Sequence, residues 1–299
     1  MSDILRCPLC SSGNPEHFLE CEDHFLTHEK FNLAKCPACG FLFTKDPPSE
    51  TAIQSYYESA DYISHDDKAT GLVNAIYRVV RSVMLGRKRN LVKKLTQLNN
   101  GSVLDIGSGT GYFLSEMKRS GWKVKGIEIN PKARHFSVES LGLDVISPDA
   151  IDSLPESEFD CITLWHVLEH FHDPDGYVRE VRRMLKPSGI CIIALPNSHS
   201  PDAKHYGNFW AAYDVPRHLW HFSPSTFRKF SEKNGFDLLG IKRMPADVFY
   251  ISSVSEKYKG TRLSFFTGLL KGVWFSIKTL FNREGSSSLI YILTKKLDF

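Results

Sequence analysis

The sequence predicts an α/β fold in which short apolar strands alternate with helices, preceded by a small cysteine-rich module. Two observations support this prediction. In the run from Val103 to Leu114, an apolar strand breaks into alternate glycines before a helical pattern begins. Two C-x2-C motifs lie within the first 40 residues. With 299 residues and 42% hydrophobic content, the chain can bury a full core in one large domain and still carry a small one.

The N-terminal module is predicted to bind zinc. Each C-x2-C motif can bring two thiolates to one tetrahedral ion, and the pattern looks like a zinc ribbon over residues 1–48. The candidate ligands are Cys7, Cys10, Cys36 and Cys39. Because the gap between the motifs is longer than in compact ribbons, Cys21 and His24 within it are alternative ligands.

The charge of this module argues against a nucleic-acid partner. Residues 1–50 hold four basic and eight acidic residues, a net charge of −4. Modules that bind a phosphate backbone concentrate positive charge instead. We therefore expect the module to form a lid over a substrate cleft, with docking of another protein as the alternative.

The glycine turn predicts a nucleoside-binding site. Gly107, Gly109 and Gly111 permit positive φ and leave no Cβ to obstruct a bound nucleoside, while the helix that follows offers unpaired N–H groups. The next apolar run ends at Glu128. Its carboxylate is placed to accept hydrogen bonds from two ribose hydroxyls.

Residues around the turn select the class of ligand. A dinucleotide fingerprint requires a small residue where Tyr112 stands, which weakens a nicotinamide prediction. Asp105, just before the glycines, suits a ligand with an ammonium group. The stretch resembles motif I of the class I S-adenosylmethionine (SAM) methyltransferases, and the resemblance covers residues 101–294. It implies SAM as cofactor and a Rossmann-like, seven-strand, mostly parallel sheet with an antiparallel edge strand.

Further positions match this family in order. Asp149 and Ala150 follow the third candidate strand, where these enzymes hold the adenine through a carboxylate and a backbone amide. The resemblance implies that strands four to seven are Phe159–Leu164, Ile190–Leu195, Phe236–Lys242 and Leu289–Thr294. We further expect a helical linker or cap at 49–98 and a SAM-binding domain at 99–299, with a substrate loop at 196–223 and a helical insert at 245–285.

The motif from His166 to His170 directly follows the fourth strand. It also fits H-x-x-E-H, a pattern of some zinc proteases. Its position after a buried strand in a nucleoside-binding context favours a place beside the methionine end of SAM or the acceptor. Glu169 and His170 are expected to be helix-cap and packing residues.

The loop Trp210–Ser223 is the expected source of the proton acceptor. It resembles the D-x-P-x-H-L region of bacterial methyltransferases of surface-polysaccharide, lipid and secondary-metabolite pathways. Methyl transfer requires alignment of the reactants and removal of the acceptor's proton. His218 is the first candidate base, because imidazole titrates near neutral pH, and Asp214 could orient it. His166, on the opposite wall, is the second candidate.

These features predict O-methylation of a small acceptor or one linked to a carbohydrate or lipid. The alternatives are an RNA methyltransferase and a non-catalytic SAM-binding adaptor. Residues 71–100 contain seven basic and no acidic residues on an amphipathic helical pattern. Such a run predicts a solvated face, with an anionic substrate or RNA as the alternative partner.

The segment 262–281 repeats apolar residues at helical spacing. Lys271 and two glycines interrupt it too strongly for a membrane span. We expect it to cover the acceptor pocket, and peripheral contact with a membrane is the alternative. The N-terminus carries no apolar targeting segment, so a cytoplasmic location is expected, in which the seven cysteines are metal ligands or thiols.

Overall fold

The computed structural model describes residues 6–57 and 72–296, without the side chains of residues 72–80 and Arg283. Residues 1–5 of the predicted zinc ribbon, residues 58–71 of the predicted cap and the side chain of Arg78 lie outside this description. The described strands are β1 (Glu16–Glu22), β2 (Lys30–Lys35), β3 (Leu42–Thr44), β4 (Ser102–Ile106), β5 (Lys123–Ile127), β6 (Val145–Ile146), β7 (Phe159–Trp165), β8 (Leu185–Pro196), β9 (Trp220–His221), β10 (Phe236–Arg243) and β11 (Ser288–Lys295). The described α-helices are α1 (Leu72–Thr96), α2 (Tyr112–Arg119), α3 (Pro131–Glu139), α4 (Pro174–Met184), α5 (Pro201–Tyr206), α6 (Pro224–Lys233), α7 (Asp247–Tyr258) and α8 (Ser264–Lys278).

Seven strands form the large sheet, in the order β6, β5, β4, β7, β8, β11, β10. The first five are parallel to one another, and β11 is antiparallel to both β8 and β10. The predicted seven-strand, mostly parallel α/β sheet is thus confirmed. The antiparallel strand, however, lies one place in from the edge.

The burial of β11 and β10 explains this difference. Residues 288–293 of β11 are buried without interruption, as expected of a strand covered on both faces. In contrast, β10 alternates buried or half-buried with exposed residues, and Leu239 is 58% exposed. The strand with a solvated side therefore takes the edge position.

A second sheet joins the N-terminal module to the predicted substrate loop. Its order is β1, β2, β3, β9, and every pair is antiparallel. Leu42 pairs with His221 and Phe43 pairs with Trp220. Since β9 belongs to the loop that follows β8, the two segments form one structural unit, although the sequence pattern separates them.

The helices α7 and α8 form a hairpin inserted between β10 and β11. They pack closely because two glycines of α8 face α7. A Cβ at Gly268 would lie 2.3 Å from the Cα of Ser253, and one at Gly272 would lie 2.6 Å from the Phe249 ring. In the part of the chain that the structure describes, no helix combines the length and apolar character needed to cross a bilayer.

Candidate functional site

The carboxyl ends of four neighbouring parallel strands meet at one edge of the large sheet. The glycine turn follows β4, Glu128 follows β5, Asp149 lies beyond β6, and His166 follows β7. Ligands of open α/β sheets bind in the crevice at this edge. The fold therefore brings the predicted cofactor residues and one candidate base to the same side.

The three glycines of the turn have different surroundings. Gly107, Gly109 and Gly111 have φ values of +71°, +54° and +78°, a region that strongly favours glycine. A Cβ at Gly107 would lie 2.4 Å from Val167, whereas nothing lies within 4 Å of a Cβ position at Gly109. The buried hydroxyl of Ser108 has no hydrogen-bond partner among the described residues. This open, unsatisfied surface fits the close approach of SAM.

Glu128 fixes the shape of the turn. Its Oε2 accepts a hydrogen bond from the Gly109 N–H at 2.6 Å, and its Oε1 accepts one from the Asn130 N–H at 2.8 Å. Each carboxylate oxygen can accept a further hydrogen bond. The side chain can thus hold the turn and still accept from ribose hydroxyls.

The predicted adenine contacts lie on a short 3-10 helix after β6. Asp149 is exposed, and its Oδ2 accepts a hydrogen bond from the Ser147 hydroxyl at 3.2 Å. The Ala150 N–H donates to the Ser147 carbonyl at 3.1 Å. The amide expected for adenine is therefore used within a local turn, while the carboxylate faces solvent.

Asp105 is a buried acid at the base of the crevice. Its Oδ1 accepts a hydrogen bond from the Thr163 hydroxyl at 2.6 Å. Burial raises the pKa of Asp105 to about 7, against the lowering effects of this hydrogen bond and of the nearby Lys88 charge. Lys88 reaches the site from α1, with its Nζ 4.2 Å from the centroid of the Trp165 ring. Lys88 thus lies in the crevice, whereas the sequence predicts a solvated face, or contact with an anionic partner, for the basic run that contains it.

Two other cations of α1 also contact the large domain. The Arg81 guanidinium lies 4.1 Å from the centroid of the Tyr112 ring, and Arg89 pairs with Glu116. The basic helix therefore borders the crevice, but these charges have intramolecular partners. This arrangement leaves them poorly placed to bind a phosphate backbone.

His166 is held between two carboxylates. It has a φ of +57°, its Nε2 lies 3.0 Å from Asp247 Oδ2, and its Nδ1 lies 3.5 Å from Glu169 Oε1. Burial alone would lower the pKa of His166, but the hydrogen bonds and charges of the two carboxylates raise it to about 9. A protonated imidazole is a hydrogen-bond donor, so this geometry disfavours His166 as a base at neutral pH.

His218 makes a different set of contacts. Its Nδ1 lies 2.9 Å from the carbonyl oxygen of Ala212, which can only accept, so Nδ1 carries a proton and the lone pair of the neutral form lies on Nε2. The Nε2 lies 3.9 Å from Asp214 Oδ2, too far for a hydrogen bond. The Ala212 carbonyl, and not the predicted Asp214, orients this ring.

Glu169 and His170 complete a buried polar group around His218. The rings of His170 and His218 meet edge to face, with their centroids 4.5 Å apart. A carboxylate oxygen of Glu169 and one ring nitrogen from each histidine all lie within 4.8 Å of one another. Apart from His166, the Glu169 carboxylate has no polar partner within hydrogen-bond distance among the described residues. Burial lowers the pKa of His170 to about 4, so this ring is neutral. The expectation of simple capping and packing roles missed this group.

Asp214 binds a buried arginine. Arg217 is 2% exposed and contacts both oxygens of Asp214, with Nη2–Oδ1 at 2.7 Å and Nε–Oδ2 at 3.1 Å. The Arg217 Nη2 also donates to Asp23 Oδ1 at 2.8 Å, across to the turn between β1 and β2. Because the two partners are 194 residues apart, no local sequence pattern could have predicted this pair.

The four predicted zinc ligands come together. The Sγ atoms of Cys7 and Cys39 are 3.6 Å apart, as are those of Cys10 and Cys36, and all four lie within 4.8 Å of one another. Cys21 is buried elsewhere in the module. Four clustered thiols are the donor set of structural zinc sites, so the residues fit this ion.

The two cysteine motifs share one backbone geometry. The Ser11 N–H donates to the Cys7 carbonyl at 2.8 Å, and the Gly40 N–H donates to the Cys36 carbonyl at 2.9 Å. Ser11 and Gly40 have φ values of +59° and +76°. Each motif is therefore a tight turn that points two sulfurs to the same side.

Comparisons with known proteins agree with this geometry. A family profile described as a methyltransferase domain matches residues 81–240. The ubiquinone biosynthesis O-methyltransferase of Pelagibacter ubique is 28% identical over 205 residues, 62% of this chain and 83% of that protein. The enzyme of the same name from Pseudomonas entomophila is 34% identical over 180 residues, 54% of this chain and 76% of that protein. For the Cupriavidus pinatubonensis enzyme, at 27% identity, the match spans only 62% of the relative's length.

Two solved structures share the fold. The cyclase SpnF has a TM-score of 0.52 at 16% identity, covering 84% of this chain and 98% of that chain. A protein described as a putative sarcosine dimethylglycine methyltransferase from Galdieria sulphuraria has a TM-score of 0.51 at 14% identity. The match covers 81% of this chain and 97% of that chain. At these identities the likeness concerns the fold alone. Since the methyltransferase profile matches more than half of the chain and the glycine turn lies at the carboxyl end of β4, the protein belongs to the class I SAM-dependent methyltransferase family.

Proposed function

We propose that the protein methylates a hydroxyl oxygen of a small acceptor. The observation that carries this proposal is His218, a buried imidazole beside Glu169 and His170 whose Nδ1–H contacts the Ala212 carbonyl oxygen. In the neutral form of this ring, the lone pair on Nε2 can accept the proton that a hydroxyl loses during methyl transfer. The curated relatives named ubiquinone biosynthesis O-methyltransferases support the same reaction class.

The candidate cofactor-binding residues are placed to hold SAM in the crevice. When bound, SAM supplies a methyl group on an activated sulfonium. Gly109 gives space for a nucleoside, Glu128 accepts from its ribose, and Asp105 offers a carboxylate to its ammonium group. Asp149 remains the candidate residue for binding the adenine base of SAM. His166, protonated and paired with Asp247, forms part of the wall of the crevice and acts there as a hydrogen-bond donor.

We further propose that the cysteine cluster holds one structural zinc ion and that the acceptor is linked to a lipid or a carbohydrate. The first is supported by the four clustered sulfurs. The second rests on the resemblance of the Trp210–Ser223 loop and on the apolar hairpin beside the site. The seven cysteines, which form no disulfide in the structure, fit a cytoplasmic location.

Transfer of label from SAM tests the reaction class. The protein is incubated with methyl-tritiated SAM and, separately, with an organic-solvent extract of cells and with purified total RNA. We expect label in the organic extract. Label in RNA would instead support an RNA methyltransferase, and SAM binding without transfer to either pool would support an adaptor.

The His218→Ala variant tests the proton acceptor. We expect SAM affinity, measured by calorimetry, to stay within about twofold, while turnover of the identified acceptor falls about 10²–10⁴-fold, the usual share of general-base catalysis. Tyr213→Phe, a change on the same loop, is the control. Loss of SAM binding in the histidine variant would mean that the loop is structural, and unchanged turnover would mean that the acceptor needs no base.

A further inference from the structure

A large apolar surface lies on α8 and the turn after it. Ten of the eighteen exposed large hydrophobic residues of the described chain fall within residues 263–281. Leu270 is 71% exposed, Phe266 is 63% exposed and Trp274 is 44% exposed. Isolated exposed apolar residues are normal, but a contiguous patch of this kind marks an interaction surface.

The packing of α8 explains why this surface remains uncovered. The residues of α8 that are buried are Gly268, Gly272 and Phe275. The glycines lie against α7, where a larger residue would clash. Apart from Phe275, which is buried, the helix thus faces its neighbour with small residues, and its other large apolar side chains are exposed.

The charge around the surface favours an anionic partner. Between Glu256 and Glu284, the chain has six basic and no acidic residues. Lys278 lies 3.7 Å from the centroid of the Trp274 ring, at the edge of the patch. Two copies of the chain packed face to face here would bring like charges together, which disfavours self-association. Bulky apolar residues flanked by cations are typical of helices that lie in the headgroup region of a bilayer.

We propose that α8 and the turn to Phe281 dock on the surface of an anionic lipid bilayer. The helix lies flat, with its apolar face in the boundary between headgroups and acyl chains. This docking is independent of the reaction proposed above. The hairpin is joined to the site by Asp247, the first residue of α7, which pairs with His166 at 3.0 Å. A protein docked in this way keeps its crevice at a fixed position relative to the lipid surface.

Vesicle co-sedimentation of the full chain tests the proposal. We expect binding to phosphatidylglycerol vesicles, weaker binding to phosphatidylcholine vesicles and loss of binding at high salt. Phe266→Glu and Leu270→Glu should each weaken binding at least about tenfold, because each removes the burial of a large apolar side chain. Leu239→Glu, a similarly exposed site on β10, is the matched control and should bind as the native protein does.

A second measurement does not depend on these charged variants. Vesicles with brominated acyl chains should quench part of the tryptophan fluorescence of the native protein. The Trp274→Phe variant keeps an apolar side chain and should lose that quenching while still binding. Absence of native binding to phosphatidylglycerol would overturn the proposal, and so would equal, salt-insensitive binding to both lipids. A dimer in solution that Leu270→Glu dissociates, without vesicle binding, would assign the surface to a second copy.

Discussion

The surroundings of each side chain, rather than its type, set its protonation state at this site. His166 lies between two carboxylates, and its pKa rises to about 9. For His170, burial and the neighbouring His218 outweigh the nearby carboxylates, and its pKa falls to about 4. The sequence makes His166 the second candidate base, from its place on the wall opposite His218. It does not show Asp247 beside this ring, since Asp247 reaches the site from a helix 81 positions further along the chain.

Asp105 predicts a pH dependence for cofactor affinity. Its pKa is raised to about 7, so the carboxyl is mostly protonated below that pH in the free protein. An ammonium group binds the ionised carboxylate, and SAM affinity should therefore rise with pH and level off above about pH 7. Well below the pKa of Asp105, SAM affinity should fall by about tenfold for each unit by which the pH is lowered. Calorimetry between about pH 5.5 and 8 measures this slope.

The isosteric variant Asp105→Asn serves as the comparison. It removes the titrating group, so its SAM affinity should be weaker and nearly independent of pH over the same range. A variant that kept the slope of the native protein would assign the titration to another residue.

Among the elements, those with strong local patterns were predictable. The strands of the large sheet are apolar runs separated by turns or helices, and a glycine turn marks the end of β4. The pairing of β3 with β9 was not predictable, because it rests on two residue pairs that bring together distant segments. Helical spacing indicated α8, but its exposed face depends on how two glycines meet α7.

The cysteine cluster predicts a coupling between metal binding and the substrate loop. Metal analysis should return about one zinc per chain for the native protein, and Cys36→Ser should release it. Because β3 pairs with β9, loss of the ion should also speed amide hydrogen exchange at Trp220 and His221. Cys21→Ser changes a buried thiol of the same module outside the cluster and should retain the metal.

Two results would contradict this assignment. Stoichiometric zinc in the Cys36→Ser protein would mean that other ligands bind the ion. Zinc release without faster exchange in the loop would mean that β3 and β9 stay paired without the metal.

At the scale of the whole molecule, one buried ion pair connects the N-terminal module to the methyltransferase domain. Arg217 contacts Asp214 on its own loop and Asp23 in the distant module. It also donates to the carbonyl oxygen of Tyr56 at 3.1 Å. Removal of one partner from a buried charge network leaves the others uncompensated.

Arg217→Met should therefore destabilise the protein by about 3–5 kcal/mol, as measured by urea unfolding. Arg228→Met, which breaks the exposed pair with Glu284, should have a much smaller effect. Equal effects of the two substitutions would show that the buried pair does not hold the module in place.

The shared sheet of β1, β2, β3 and β9 limits how this protein can be recombined with its relatives. A chimaera that exchanged only residues 1–48 would leave β9 beside a foreign strand and Arg217 without Asp23. One that exchanged only the loop would create the reverse mismatch. An exchange of either stretch must therefore carry the other with it, although the cofactor-binding core separates the two in the sequence.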